Sequence, residues 1–583
     1  MIFNYFRRID WVLLAISIVL VYIQVWLELE IPGYMNTITT LMITGGTSQE
    51  IMEEGKWMLA CAFVSLISAV VVGLISANMG TNIGKNMRTR QFDQVEKYSA
   101  AEMNRFSIYS LITRSTNDVT QVQMAFIIGL MVMIRAPMMA VMALMKISTK
   151  NIGWLEVTII CVMVMVACIA AILYFAYPRF KKVQWLNDDV NRITKEGLTG
   201  IRVVHAYNAE GFQEARFMEA NKRLTDTHVA ITRAMAFLMP TMTTVMSMMS
   251  LGIYWMGAII ISEAGGIEER LADFSDMIVF SSYAMQLVAA FMMLVIIFMV
   301  LPRALVAAKR IDEVVSTEPT VTDGDVTESP EDQSGRISFR NVSFRYPESS
   351  EDALTDISFD LEKGETLAII GSTGSGKSTL VKMIPRFYDV TDGQVLVDGI
   401  DVRDYQQDAL HKKIGYVPQK AVMFNGTISS NVNYGDTEEE RTEEDVRKAV
   451  RIAQATDFVE RTEGQYESKV AEGGTNLSGG QKQRLSIARA VCRRPEFYIF
   501  DDSFSALDYK TDRLLRSELK KETSGVTTII VAQRIGTIME ADKIIVLDEG
   551  RIVGMGKHRD LMRDCEVYNQ IARSQLTEEE LVR

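Results

Sequence analysis

The chain has 583 residues, with 61 Lys and Arg against 73 Asp and Glu, and its formal net charge of −12 gives no support to a nucleic-acid surface. Five cysteines (Cys61, Cys161, Cys168, Cys492 and Cys565) are dispersed without metal-ligand spacing, which argues against a disulfide framework and fits a reducing or lipid environment. The averages conceal two unlike halves: residues 1–310 hold 30 of the 35 methionines and the long apolar runs, and the remainder reads as a charged soluble domain.

Six apolar segments, near 11–29, 57–78, 125–147, 153–177, 234–262 and 277–301, reach or approach the ~20 residues needed to cross a bilayer. The first lacks a small-residue cleavage site and five more follow, so it reads as a retained helix. The gaps alternate in length and charge. Residues 79–124 carry Lys85, Arg88, Arg90, Lys97, Arg105 and Arg114, and residues 178–233 are richer still in Lys and Arg. With Arg7 and Arg8 ahead of the first span, this bias places both long gaps and both termini in the cytoplasm. Regular apolar positions at Ile201, Val204, Tyr207 and Phe212 predict that the long gaps are helices continuing beyond the membrane. Arg135, in "MVMIRAPMM", is the anomaly of the spans, because a cation at that depth needs a partner or a cavity. The methionines suggest an adaptable apolar pocket. Residues 313–335 are acidic and rich in Pro, Gly, Ser and Thr, a linker composition.

The second half opens on strand-like runs, "RISFRNVSFRY" and "ALTDISFDLE". A β-branched strand then enters a glycine-rich turn, Gly371-Ser372-Thr373-Gly374-Ser375-Gly376-Lys377-Ser378-Thr379, followed by a helical run. This is the phosphate-loop pattern in the strand–turn–helix setting that gives it meaning. Glycines let backbone N–H groups and the helix start face phosphate oxygens. Lys377 supplies a point charge to the β and γ phosphates, and the Ser378 hydroxyl can ligate magnesium. Further on, "FYIFDDSFSALD" runs an apolar strand into Asp501 and Asp502, delivering a carboxylate to a bound metal.

Between these motifs lies "TNLSGGQKQRLSIARA", and with it the chain resembles one half of an ATP-binding cassette (ABC) transporter of the exporter type. The resemblance covers essentially the whole chain. It implies a multidomain membrane protein: a six-helix all-α transmembrane domain (1–312), a linker (313–335) and an α/β P-loop nucleotide-binding domain (336–583) with an antiparallel β subdomain and an α-helical signature subdomain. It also implies ATP and Mg2+ as ligands and a location in the bacterial plasma (inner) membrane. Tyr346 matches the aromatic that stacks on adenine. Gln419 matches the glutamine that contacts magnesium, Asp501 the acid that reaches it through water, and Glu472 a coupling acid. Leu477, Ser478, Gly479, Gly480 and Gln481 match the signature motif, which serves an ATP held by a second cassette; Ser505 to Asp508 match the loop after the acidic strand. "LITRSTNDV" and "EGLTGIRVVHAYNAE" resemble the cytoplasmic segments that dock on the cassettes.

Two positions depart from the family pattern. Asp502 stands where the family usually has Glu, and Gln533, in "TTIIVAQRIGTI", stands where it has His. Retracting a carboxylate by a bond length can cost on the order of 100-fold in rate, and an amide does not titrate near neutrality. The residues for holding MgATP are present and those for cleaving it are altered. The expectation is a degenerate-site subunit of a heterodimeric bacterial exporter of amphipathic compounds, whose partner half-transporter carries the catalytic Glu and His. The alternatives are a lipid flippase, a peptide exporter, an exporter-fold siderophore importer and an ATP-gated regulator.

Overall fold

The computed structural model describes residues 5–148, 152–347, 349–435 and 441–576. Contacts divide the chain into two units: Met1–Asp93 with Leu111–Ser316, and Gln94–Ser110 with Thr317–Arg583.

The first unit is helical. Among the described residues six helices are long and apolar enough to cross a bilayer: Arg8–Thr44, Ser48–Glu96, Ile108–Ser148, Ile152–Thr199, Glu210–Glu263 and Ile267–Ser316. Each contains one apolar segment legible in the sequence. The helices run well past those segments, so the first gap, 30–56, is not a loop; only Gly45–Thr47 separates helices one and two. The third gap falls partly on 149–151, outside the described residues. Large apolar side chains fill the centre, with Trp154, Phe280, Met249 and Ile253 all nearly inaccessible to solvent.

The second unit is layered α/β. An antiparallel sheet has strand order β2-β1-β4-β5, from β1 (Ile337–Phe344), β2 (Leu354–Leu361), β4 (Asp392–Val397) and β5 (Ile400–Asp401). The larger sheet runs β12-β11-β3-β10-β9-β6, built from β3 (Thr366–Gly371), β6 (Ile414–Val417), β9 (Phe497–Asp501), β10 (Thr527–Val531), β11 (Lys543–Asp548) and β12 (Arg551–Gly556). All its neighbours are parallel except the β11–β12 edge pair. Its central strands are mostly apolar and buried, as cover on both faces requires. A helical subdomain carries the Gly479–Arg493 helix and the short pair β7 (Gly426–Thr427) and β8 (Lys469–Val470).

Three details differ from the sequence reading. The last membrane helix continues to Ser316, so residues 313–316 are helical. Residues beyond it have a linker's composition but are bonded along the nucleotide unit: Val326 N–H donates to the Asp404 carbonyl and Gln406 N–H to the Val326 carbonyl, both at 2.9 Å. "LITRSTNDV" lies in the first turns of the third membrane helix, Ile108–Ser148, where Arg114 reaches the Arg310 carbonyl (2.9 Å) and Glu313 (2.8 Å), and a segment before it is grouped with the nucleotide unit. The grouped segment is 94–110, where buried Glu102 accepts from Ser99 and from the Thr320 N–H, and Asn104 donates to the Tyr388 hydroxyl at 3.0 Å. Composition alone gave 94–110 no mark.

Candidate functional site

Four adjacent parallel strands end at one level. Val417 lies beside Phe500, Asp501 beside Val531, and Val531 beside Ile369. Their carboxyl ends therefore deliver Gln419 (after β6), Asp501 and Asp502 (end of β9), Gln533 (after β10) and the 371–378 loop (after β3) to one edge, where open α/β sheets take ligands.

The loop's shape depends on glycine at two points. A Cβ on Gly371 would lie 2.0 Å from the Leu547 carbonyl oxygen, so β3 could not approach β11 as it does. Gly376 has φ of +96°, and a Cβ there would sit 2.8 Å from the Ala353 oxygen. Lys377 folds back into this turn, its Nζ donating to the carbonyls of Gly371 (2.9 Å) and Ser372 (2.6 Å). Burial pushes its amine below the usual lysine range, while Asp502 and Asp501 pull it back up. Ser372, Thr373 and Gly374 are exposed at the tip of the loop, and Ser375 is buried against its base.

Ser378 Oγ donates to Asp501 Oδ1 at 2.8 Å. Among the described residues no group of three or more His, Cys, Asp or Glu side chains could cage a metal. A hydroxyl, a carboxylate and the amide of Gln419 are hard oxygen donors, and so sparse a set suits Mg2+, which keeps waters and phosphate oxygens as its main ligands. The residues present therefore fit MgATP. Tyr346 packs edge-on to Phe344 and Tyr388, and its hydroxyl is 2.9 Å from Thr379 Oγ1, which fixes the ring beside the loop.

Asp502 is the centre of the other half of the site. Its Oδ2 accepts from Gln533 Nε2 (2.7 Å) and from Gln419 Nε2 (3.1 Å). Burial raises its carboxyl above the ordinary range, with Asp501 adding to the rise; the two amides and Lys377 oppose it. Its backbone is left-handed, φ +48°, a conformation in which Asp is enriched among non-glycine residues. None of the four histidines is hydrogen-bonded to Asp501 or Asp502: His205 contacts Glu210, His411 the Pro385 carbonyl and His558 the Tyr568 hydroxyl, while His228 has no partner among the contacts described.

One residue of the site had no mark in the sequence. Tyr416, on β6, donates from its hydroxyl to Asp501 Oδ2 at 3.3 Å. Burial and the neighbouring Asp501 charge push its phenol up, so it stays a donor at neutral pH. Alternation on a strand could have found it: Tyr416 lies in register beside Ile499, two residues from Asp501.

The signature residues lie elsewhere. Ser478 caps the Gly479–Arg493 helix, its Oγ accepting from the Gln481 N–H while Gln481 Oε1 accepts from the Ser478 N–H. Leu477, Gly479 and Gly480 complete an exposed or half-exposed turn. No hydrogen bond among the described residues joins these five to the Lys377 loop. Glu472 is exposed beside them, and Asp508 caps the next helix through the Thr511 N–H.

Comparison with known families decides the assignment. The ABC transporter family model matches residues 354–505, and that for the ABC transporter transmembrane region matches 14–291. The chain is an ABC transporter. Its organisation, one transmembrane region followed by one cassette, is that of a half-transporter, and its six apolar helices make it a multi-pass membrane protein. An ABC transporter ATP-binding protein of Mycobacterium tuberculosis is 36% identical over 97% of this chain and 96% of its own length. One from Bacillus subtilis is 32% identical over 97% of each chain. The ATP-dependent lipid A-core flippase of Pseudomonas fluorescens is 32% identical over 85% of this chain and 81% of its own. A bacterial Atm1-family ABC exporter solved with ATP bound shares the fold, with a TM-score of 0.79 at 24% identity, covering 96% of this chain and 98% of that one. Family membership implies ATP-coupled transport, with Mg2+ as the usual companion ion.

Proposed function

We propose that this ABC half-transporter is one subunit of a heterodimeric exporter of amphipathic or drug-like compounds, and that its own nucleotide site holds MgATP but cleaves it weakly. The observation that carries the reading is the convergence of two amides, Gln419 and Gln533, on Asp502 Oδ2 with no imidazole at the site. A general base must take a proton and a second group must steady the γ-phosphate. Asp502 has its outer oxygen occupied by two donors, and Gln533 cannot carry charge.

In this reading the backbone of 371–376 and Lys377 hold the phosphates, and Tyr346 faces the adenine. Ser378, Gln419 and Asp501, the last through water, hold Mg2+. When bound, ATP supplies the binding energy that closes two cassettes and the bond whose cleavage lets them reopen. Leu477–Gln481 cap the γ-phosphate of a nucleotide held by the partner, which supplies the Glu and His missing here. The turn 196–210 supports a two-chain assembly: Ile201, Val203, Tyr207 and Phe212 are exposed in the single chain, as a surface awaiting another subunit would be. The basic long gaps place both termini in the cytoplasm, with the inner membrane as the site of action.

Lipid translocation is the second reading, favoured by relatives named ATP-dependent lipid A-core flippase at 30–33% identity. ATP-dependent movement of a fluorescent drug and of a labelled lipid into inverted vesicles separates the two. The heterodimer is tested by the ATP turnover of the purified chain with and without a co-expressed second half-transporter.

A further inference from the structure

The transmembrane unit keeps charge where a bilayer penalises it. Arg135 Nη2 donates to both carboxylate oxygens of Glu28, at 2.8 and 3.0 Å. Glu28 Oε1 also accepts from Gln24 Nε2 (3.1 Å) and Ser65 Oγ (3.2 Å). From the sixth helix, Gln286 Nε2 donates to the Glu28 carbonyl at 3.3 Å. A second pair, Lys146 with Glu30 at 2.9 Å, lies on the same two helices as the first. Ionisable groups inside a membrane domain are retained where they serve a passage or a partner.

Two features accompany this cluster, the first with a local cause. The backbone just before Arg135 is π-helical over Gly129–Met133, a distortion that gathers at functional sites. Pro137 explains it locally, since it lacks the N–H that would close on the Met133 carbonyl. Secondly, Arg135 Nε and Gln286 Oε1 are both buried without a hydrogen-bond partner. Natural proteins rarely leave such atoms unspent, and each one calls for a reason.

Charge accounting fixes the class of ligand. Arg135 cancels Glu28 and Lys146 cancels Glu30, so the cluster is neutral as a whole. Glu28 Oε1 already has three donors. Among the fully buried side-chain atoms of the cluster, the Nε–H donor of Arg135 and the carbonyl acceptor of Gln286 remain unspent, the one residue bonded to the Glu28 carboxylate and the other to its backbone carbonyl. We propose that Arg135, Glu28 and Gln286 form a substrate subsite for an uncharged donor–acceptor group, a hydroxyl or carboxamide on an otherwise apolar molecule. The proposal rests on the exporter reading and narrows its substrate class. A phosphate would add an anion beside Glu28 with no second cation to cancel it, and an ammonium would add a cation beside Arg135 with no second anion. Either leaves the cluster with a net charge inside the membrane unit.

The test is equilibrium binding of three fluorescent probes with one common tail, ending in an alcohol, a phosphate or a trimethylammonium. The full-length chain is held in phosphatidylcholine nanodiscs, with empty nanodiscs subtracted. Wild type binds the alcohol about tenfold tighter than either ion. E28Q shifts preference toward the phosphate and R135Q toward the ammonium, each by about tenfold. The swap E28R/R135E restores the pair and the alcohol preference, which a fold lost in the single variants would not prevent from being measured. A wild-type preference for either ion, or equal shifts for all three probes in both single variants, overturns the subsite. In vesicles carrying this chain with its co-expressed partner, ATP-driven movement of the alcohol probe that ignores E28Q and R135Q removes this inference and leaves the exporter reading intact. Selective binding of the alcohol with no ATP-driven movement of it does the reverse.

Discussion

Gln533 Nε2 lies 2.7 Å from Asp502 Oδ2, so the two positions read as departures from the family's catalytic pattern are bonded to each other. The departures are therefore one structural unit. A shortened acid is held by an uncharged amide, and Gln419 completes the clamp from the neighbouring strand end. Glu at position 502 would carry a longer stem on a left-handed backbone that favours Asp.

The clamp has a stability consequence. Burial raises the Asp502 carboxyl, so this group favours the fold below the ordinary carboxylate range, and that contribution is lost as pH rises through the elevated value. At neutral pH the buried charge is a cost. D502N removes the charge and leaves an oxygen to accept from the two amides. Differential scanning calorimetry of the nucleotide-free protein at pH 7.5 is expected to show a melting temperature higher by on the order of 2 °C, with the gain shrinking as pH falls toward 4.

Tyr416 is expected to act on the metal through Asp501. Removing its hydroxyl in Y416F loosens one oxygen of that carboxylate and leaves the phosphate loop untouched. Binding of a fluorescent ATP analogue with Mg2+ should weaken by about three- to tenfold, the net loss of one ordinary hydrogen bond. Binding in EDTA should be unchanged. An equal loss in both conditions would assign Tyr416 to packing alone.

His411 sets an acid limit on the nucleotide unit. Burial is the main cause of its lowered pKa, and its Nε2 meets the Pro385 carbonyl at 2.8 Å. A depressed folded value means stability is complete above the unfolded imidazole range and falls as pH drops through the folded value. H411Q is expected to flatten the melting temperature between pH 6.5 and 5, where wild type declines.

The exposed tip of 196–210 predicts an assembly phenotype. Tyr207 is 79% exposed and Val203 60%, with no apolar cover in the single chain. V203D/Y207D should leave ATP-analogue binding unaltered and reduce transport-coupled ATP turnover at least tenfold when the partner is present. Retained coupling would remove this tip from the subunit interface.

The fold was legible where a short pattern carries its own physics. Apolar runs gave six spans because a bilayer demands length and hydrophobicity from each helix separately. The loop 371–378 and Asp501 were legible because glycine and a buried acid at a strand end have few other uses. Glu28 was invisible, since its place opposite Arg135 depends on how two helices 107 positions apart in sequence pack. Tyr416 was hidden for the same reason, its meaning lying in strand register. The segment 317–335 has a linker's composition, which does not show that its backbone groups bond to Asp404, Tyr405 and Gln406.

The central claim is that the site around Lys377 holds nucleotide and cleaves it poorly because of the pair Asp502 and Gln533. The direct measurement is ATP turnover in the co-expressed heterodimer whose partner site has been disabled, comparing the wild-type chain with D502E/Q533H. The account predicts near-background turnover for wild type with MgATP still bound, and a rise of at least tenfold in the double variant. Robust turnover by the purified wild-type chain alone, or no rise in the double variant despite intact nucleotide binding, would contradict it.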